Sequence, residues 1–169
     1  LSTTIPVSGV LYQAVEQERP SDGLVRCLLL NDAYYLDQDE ARHRAAYTCF
    51  EALDAAGVLS PLIYSELASL HQEAVTDGYA YPAGASQDQA FAYARRALRM
   101  GSSSAYAHRA LGFLFNRAGK GEEALRWMRK AYELNTYDLS MAAALGYAQV
   151  FQGQYREGEP ILARAVEAT

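Results

Sequence analysis

AYAHRALGFLFNRAGKGEEALRWMRKAYELNTYD, residues 105–138, specifies two successive amphipathic helices. Its first part puts His108, Leu111, Gly112 and Phe115 on one helical face, a bulky, a large, a small and an aromatic side chain at three- and four-residue steps. Ala124, Met128 and Ala131 then mark one face of a second helix. Thirty-four residues on, Leu145-Gly146 repeats Leu111-Gly112, and Leu162 and Ala165 repeat Met128 and Ala131. Gly112 and Gly146 have a packing reason: a side chain there would hold the two helices of a repeat apart.

The period of 34 and the order of side chains at His108, Leu111, Gly112 and Phe115 resemble the tetratricopeptide repeat (TPR), whose first helix carries W-x2-L-G-x2-Y. The resemblance implies an all-α fold, an α-solenoid of about four helix-turn-helix pairs wound as a right-handed superhelix. It covers 86–169 most fully, 60–85 less so and 22–57 weakly. The helix-end proline of the family is absent, with Ser102 and Thr136 near its place. The stretch Gly84 to Gly112 also resembles Sel-like repeats, through Asp88, Ala90, Tyr93 and Ala97 before Gly101. The whole arrangement is similar to repeat regions at the C-terminal ends of bacterial signalling proteins, where they follow winged-helix or nucleotide-cyclase domains.

Working outward, start and stop signals delimit the other helices. Asp37 with Glu40 has capping-box spacing ahead of a helix over Gln38–Ala56, which Gly57 ends. There Ala45, Cys49 and Ala52 match the Ala124-Met128-Ala131 face, with Leu29 and Ala33 on a helix over Leu24–Leu36. Asp32 falls where that helix calls for a large apolar residue. Ser60-Pro61 opens a helix bearing Tyr64, Leu67, Ala68 and His71. Ser86 with Gln89 opens another, and Asp138 caps the seventh. Between them, 77–85 is rich in Gly, Tyr and Pro, cannot be helical throughout and absorbs the break in the period. It reads either as a functional variable loop or as a loop anchored by its tyrosines. The repeats therefore fall at about 22–57, 60–101, 104–136 and 138–169, and 1–21 is a linker or N-terminal extension with an apolar patch from Val7 to Val15. In the last helix Glu159, Ile161 and Ala168 replace Leu125, Trp127 and Leu134, a narrowed apolar face that suits a terminal cap.

The 169 residues suffice for one domain with a core, and half are hydrophobic. Residues 1–85 hold 4 Arg and 12 Asp/Glu, whereas 86–169 hold 11 Lys/Arg and 8 Asp/Glu. An acidic chain with a mildly basic half does not fit direct nucleic-acid binding. No apolar run reaches the ~20 residues that would insert in a bilayer. The frequent Ala and Arg suit a bacterial source, and the expected location is cytoplasmic, or periplasmic for a piece of a membrane-anchored parent. Cys27 and Cys49 have neither metal nor redox spacing and read as buried, reduced thiols.

Chemistry finds little support. Gly119-Lys120-Gly121 lacks the upstream glycine and following Ser/Thr of a phosphate loop. His43, His71 and His108 have no partner at metal spacing, and Asp37, Asp39 and Glu40 lack the rest of a calcium loop. No nucleophile elbow or acid/base pair stands out, so neither an enzyme nor a cofactor is expected.

The resemblance implies that the first helix of each pair lines a concave groove. On a helical wheel, Tyr106, Arg109, Phe113, Asn116 and Arg117 lie opposite Leu111. Tyr147, Val150 and Phe151 occupy the next first helix. Asn31, Tyr34, Glu66, Ser69 and Glu73 hold matching places earlier. Aromatics supply anchoring area and arginines can hold carboxylates, so the expected partner is a protein or peptide with an apolar side chain near an acidic group. The competing arrangement has these aromatics packing on adjacent helices and Glu73 pairing with Arg117. The function class is a non-catalytic protein-interaction module of a larger bacterial signalling or regulatory protein. The alternative is a structural segment that self-associates, for instance as a homodimer.

Overall fold

Helices form where the caps and the Ala/Leu periodicity place them. The computed structural model describes residues 23–167, so the linker expected over 1–21 lies outside the described residues. Eight helices run through these residues: α1 (Gly23–Leu36), α2 (Glu40–Ala55), α3 (Pro61–Asp77), α4 (Gln87–Met100), α5 (Ala105–Arg117), α6 (Gly121–Leu134), α7 (Leu139–Phe151) and α8 (Tyr155–Glu167). The Ser60 side chain accepts from Leu62 N–H, Ser86 from Gln89 N–H and Asp138 from Ser140 N–H. Each satisfies one of the donors that a helix start leaves bare. Consecutive helices pair as α1/α2, α3/α4, α5/α6 and α7/α8, and each pair packs on the next. The result is an all-α solenoid.

The 34-residue period is a packing fact. A β-carbon on Gly112 would meet Met128 of α6, and one on Gly146 would meet Leu162 of α8. The core is thickest around α3, which is buried from Ile63 to Ala74 because α2, α4 and α5 surround it. Tyr47, Phe50, Tyr64, Leu67 and Leu70 fill the space between the first two pairs. Smaller clusters around Leu111 and Leu114, then Leu125, Met128 and Leu145, continue along the array.

The first pair departs from expectation in three ways. Asp39, not Asp37, caps α2, accepting from Arg42 N–H, while Asp37 pairs with the Arg42 guanidinium. The buried face of α2 is His43, Ala46, Tyr47 and Phe50, one residue on from Ala45, Cys49 and Ala52; Ala45 and Ala52 are not part of it. Alanine was too common on this helix to set the register, which the larger Tyr47 and Phe50 decide. Third, Cys27 and Cys49 are joined in a disulfide rather than reduced, with Cα atoms 5.3 Å apart across the α1/α2 contact. Pairing of the two helices makes that approach, which no spacing along the chain announces.

The loop after α3 is anchored by its tyrosines. Tyr79 O–H donates to the Gln38 carbonyl, Ala80 N–H to Glu40, and Tyr81 O–H to Glu51, all on the α2 side. Gly78 turns out of α3 at φ +71°, a left-handed conformation that suits glycine. The peptide bond between Tyr81 and Pro82 is cis.

Candidate functional site

Three first helices form one wall of the groove, and charged side chains tie them together. On α3, Glu66, Ser69 and Glu73 recur at helical spacing and are all buried. Asn31 of α1 donates through Nδ2 to Glu66 Oε2 at 3.2 Å. From the other side, Arg109 of α5 reaches Glu66 Oε1 at 2.5 Å. Two turns on, Arg117 holds both oxygens of Glu73, at 3.1 and 3.4 Å. The guanidinium of Arg109 lies over the Tyr106 ring and that of Arg117 over the Phe113 ring, 5.8 and 5.2 Å from the centroids. Tyr106 O–H in turn donates to Asp138 at 3.1 Å, linking the start of α5 to the cap of α7.

These pairs set the protonation of the wall. Burial pushes the Glu73 carboxyl above the usual carboxylate range, while Arg117 beside it pulls the other way. Burial and the nearby Glu66 charge raise Asp32. Burial opposes the charge of Arg109, but Glu66 and its other acidic neighbours more than offset it, so the guanidinium is held more firmly protonated than usual.

Beyond this wall the groove opens. α5 packs far more extensively on α3 than on α7, which leaves a pocket of about 480 Å³ between them. Its polar side is Tyr35, Ser69, Arg109, Asn116 and Arg117, with the Phe113 ring set among them. Its apolar side is Met128, Ala143, Ala144, Tyr147, Ala148 and Leu162. Tyr147 stands 51% exposed at the rim, its ring 5.1 Å from that of Phe151, which is 65% exposed.

The structure thus brings together Ser69, Arg109, Phe113, Asn116, Arg117 and Tyr147 around one pocket, with Phe151 beside it. Asn31, Glu66, Glu73 and Tyr106 stand behind this surface and hold its arginines and its α7 edge. Tyr34, expected in the groove, is instead 0% exposed and packed against His43, Tyr79 and Tyr35 in the first core. Tyr35 takes the groove place instead, the same one-residue ambiguity as in α2. Val150 also leaves the groove, since it packs against Gly158 of α8. The wheel missed Ala143, Ala144, Ala148, Met128 and Leu162. The Ala143-Ala144-Tyr147-Ala148 stripe was readable as a second apolar face on α7, but Met128 and Leu162 belong to second helices, α6 and α8, and reach the pocket only in the assembled array.

The histidines serve packing. His71 lies between Tyr47 O–H and Ser86 N–H, and His108 packs its ring on Trp127. Among the described residues, no three His, Cys, Asp or Glu side chains converge as metal ligands, and no helix is long and apolar enough to cross a membrane.

Solved structures carry the same architecture. A thermophilic TPR protein of Thermus thermophilus, TTC0263, matches with a TM-score of 0.62 at 18% identity, over 94% of this chain and 87% of its own. The fold is TPR-like. MamA, residues 41 to the end, from Desulfovibrio magneticus RS-1 matches at 0.53 and 13% identity, over 95% of this TPR-like chain and 94% of its own. No family model matches the sequence, and no curated protein does.

Proposed function

We propose that this chain is a non-catalytic protein-interaction module that holds a segment of a partner protein in its concave groove. The observation that carries the reading is the open α5–α7 pocket, lined on one side by methyl and thioether groups and rimmed by Tyr147. A largely apolar cleft with a few placed polar groups is the usual form of a binding site. Exposed aromatic rings at its edge supply anchoring area that a soluble surface otherwise hides. TPR-like architecture and coverage of nearly the whole chain by TPR-fold neighbours fit the same role.

The repeat pattern and the Ala- and Arg-rich composition favour a place within a larger bacterial signalling or regulatory protein. The disulfide favours an oxidising compartment over the cytoplasm. The test is quantitative affinity capture from the source organism, with wild type beside Phe113→Ala/Tyr147→Ala. Loss of specific partners from the variant is expected; equal recovery by both would refute the groove.

A second reading, self-association, draws on the Tyr147–Phe151 pair projecting beyond the pocket. Gel filtration of wild type and Tyr147→Ala/Phe151→Ala separates the two, since only a module that self-associates through this pair would change its elution.

A further inference from the structure

Resting on the groove reading, we infer that the α5–α7 pocket selects an uncharged apolar side chain of its partner and discriminates against a carboxylate. The pocket's two cations, Arg109 and Arg117, are each already bound to a carboxylate of α3. Those carboxylates are fixed: Glu66 is 2% and Glu73 5% exposed, so neither can swing aside to yield its arginine to a ligand. Further negative charge surrounds the same cluster, with Asp32 acting on Glu66 and Asp138 acting on Arg109. The facing helix α7 contains no charged residue from Leu139 to Phe151. An incoming anion would therefore lose water and find no uncompensated positive charge. A neutral apolar group meets Phe113, Met128, Tyr147 and the alanine methyls of α7 and gives up only its unfavourable hydration. A cation fares no better, because the two guanidinium groups line the pocket and the carboxylates that hold them are already satisfied. This reverses the expectation that the arginines clamp an acidic group.

The test titrates ¹⁵N-labelled protein with N-acetyl-phenylalanine amide and, separately, with N-acetyl-phenylalanine as its free carboxylate, following amide shifts at Phe113, Asn116, Ala144 and Tyr147. The amide is expected to bind in the millimolar range, about fivefold more tightly than the carboxylate, with little dependence on salt. In Glu66→Gln/Glu73→Gln the arginines lose their partners, and the preference should swing to the carboxylate. Tighter binding of the carboxylate by wild type would overturn the inference while leaving the groove intact. Shifts from neither probe would overturn both. A correctly folded double variant that still prefers the amide would show that Glu66 and Glu73 do not neutralise the pocket, and would also overturn the inference.

Discussion

Gly146→Ala tests how the last helix pair is assembled. A β-carbon at this position would stand 2.8 Å from Leu162 Cγ and 3.0 Å from both the Gly158 carbonyl oxygen and the Leu162 nitrogen. Two of these neighbours are backbone, so no rotamer change relieves the clash. α7 and α8 must separate, by roughly half an ångström, which forfeits contacts along the whole pair. Overpacking of this kind costs about 1–3 kcal/mol, against which alanine returns about 1 kcal/mol of helix propensity. The net expectation is a loss of up to about 2 kcal/mol, a fall in Tm of up to about 8 °C. Gly158→Ala should behave alike, because its β-carbon would lie 2.8 Å from the Gly146 carbonyl oxygen. Since both substitutions force apart one contact, the double variant should cost clearly less than the sum of the singles. Gly112→Ala is the control: the three atoms nearest its β-carbon all belong to the flexible Met128 side chain rather than to backbone, so the change should stay within about 1 kcal/mol. Urea denaturation followed by far-UV circular dichroism measures all four. Stabilisation of Gly146→Ala, as at an ordinary exposed helical glycine, would refute the close approach; strict additivity with Gly158→Ala would refute the shared contact.

The remaining expectations concern the first half of the chain. The disulfide closes a loop between residues 22 apart, so Cys27→Ala/Cys49→Ala, or reduction, should cost about 3 kcal/mol, read as a lower Tm. Burial holds His43 and His71 below the ordinary histidine range, and His43 lowers His71 further. The unfolded chain therefore takes up these protons first: stability is full above the unfolded value of 6.5 and is lost as pH falls from there towards the folded values. Because Ser86 N–H donates to His71 Nε2, a second proton on that ring would face a donor; His71→Gln should remove up to about 1.4 kcal/mol per pH unit of the acid slope in urea titrations. Tyr79→Ala should cost about 2 kcal/mol and speed amide exchange at Ala80 and Ser86 while leaving binding in the groove unchanged; altered binding would make the loop part of the site.

Local order was legible in the sequence because it depends on neighbours along the chain. Three- and four-residue apolar steps, Ser60-Pro61, Ser86 and Asp138 specify helices and their starts whatever surrounds them, and the 34-residue recurrence of Leu-Gly specifies that the pairs stack alike. The polar half of the pocket was readable for the same reason: Arg109, Phe113, Asn116 and Arg117 share a face of one helix. What failed was what depends on a second helix. In α1 and α2 several registers bury similar apolar area, so only tertiary packing could choose between them: Tyr34 enters the core against His43 and Tyr79 and leaves Tyr35 to the groove, and α2 turns Ala46 rather than Ala45 inward. Only the α1/α2 contact joined Cys27 to Cys49. The charge of the groove was legible only in part: the Glu73–Arg117 pair stood as one of two open arrangements, whereas nothing along the chain announced that Glu66, 43 residues before Arg109, already holds it. An arginine's availability is set by whether a buried carboxylate already holds it, and that is a property of three packed helices rather than of any one of them.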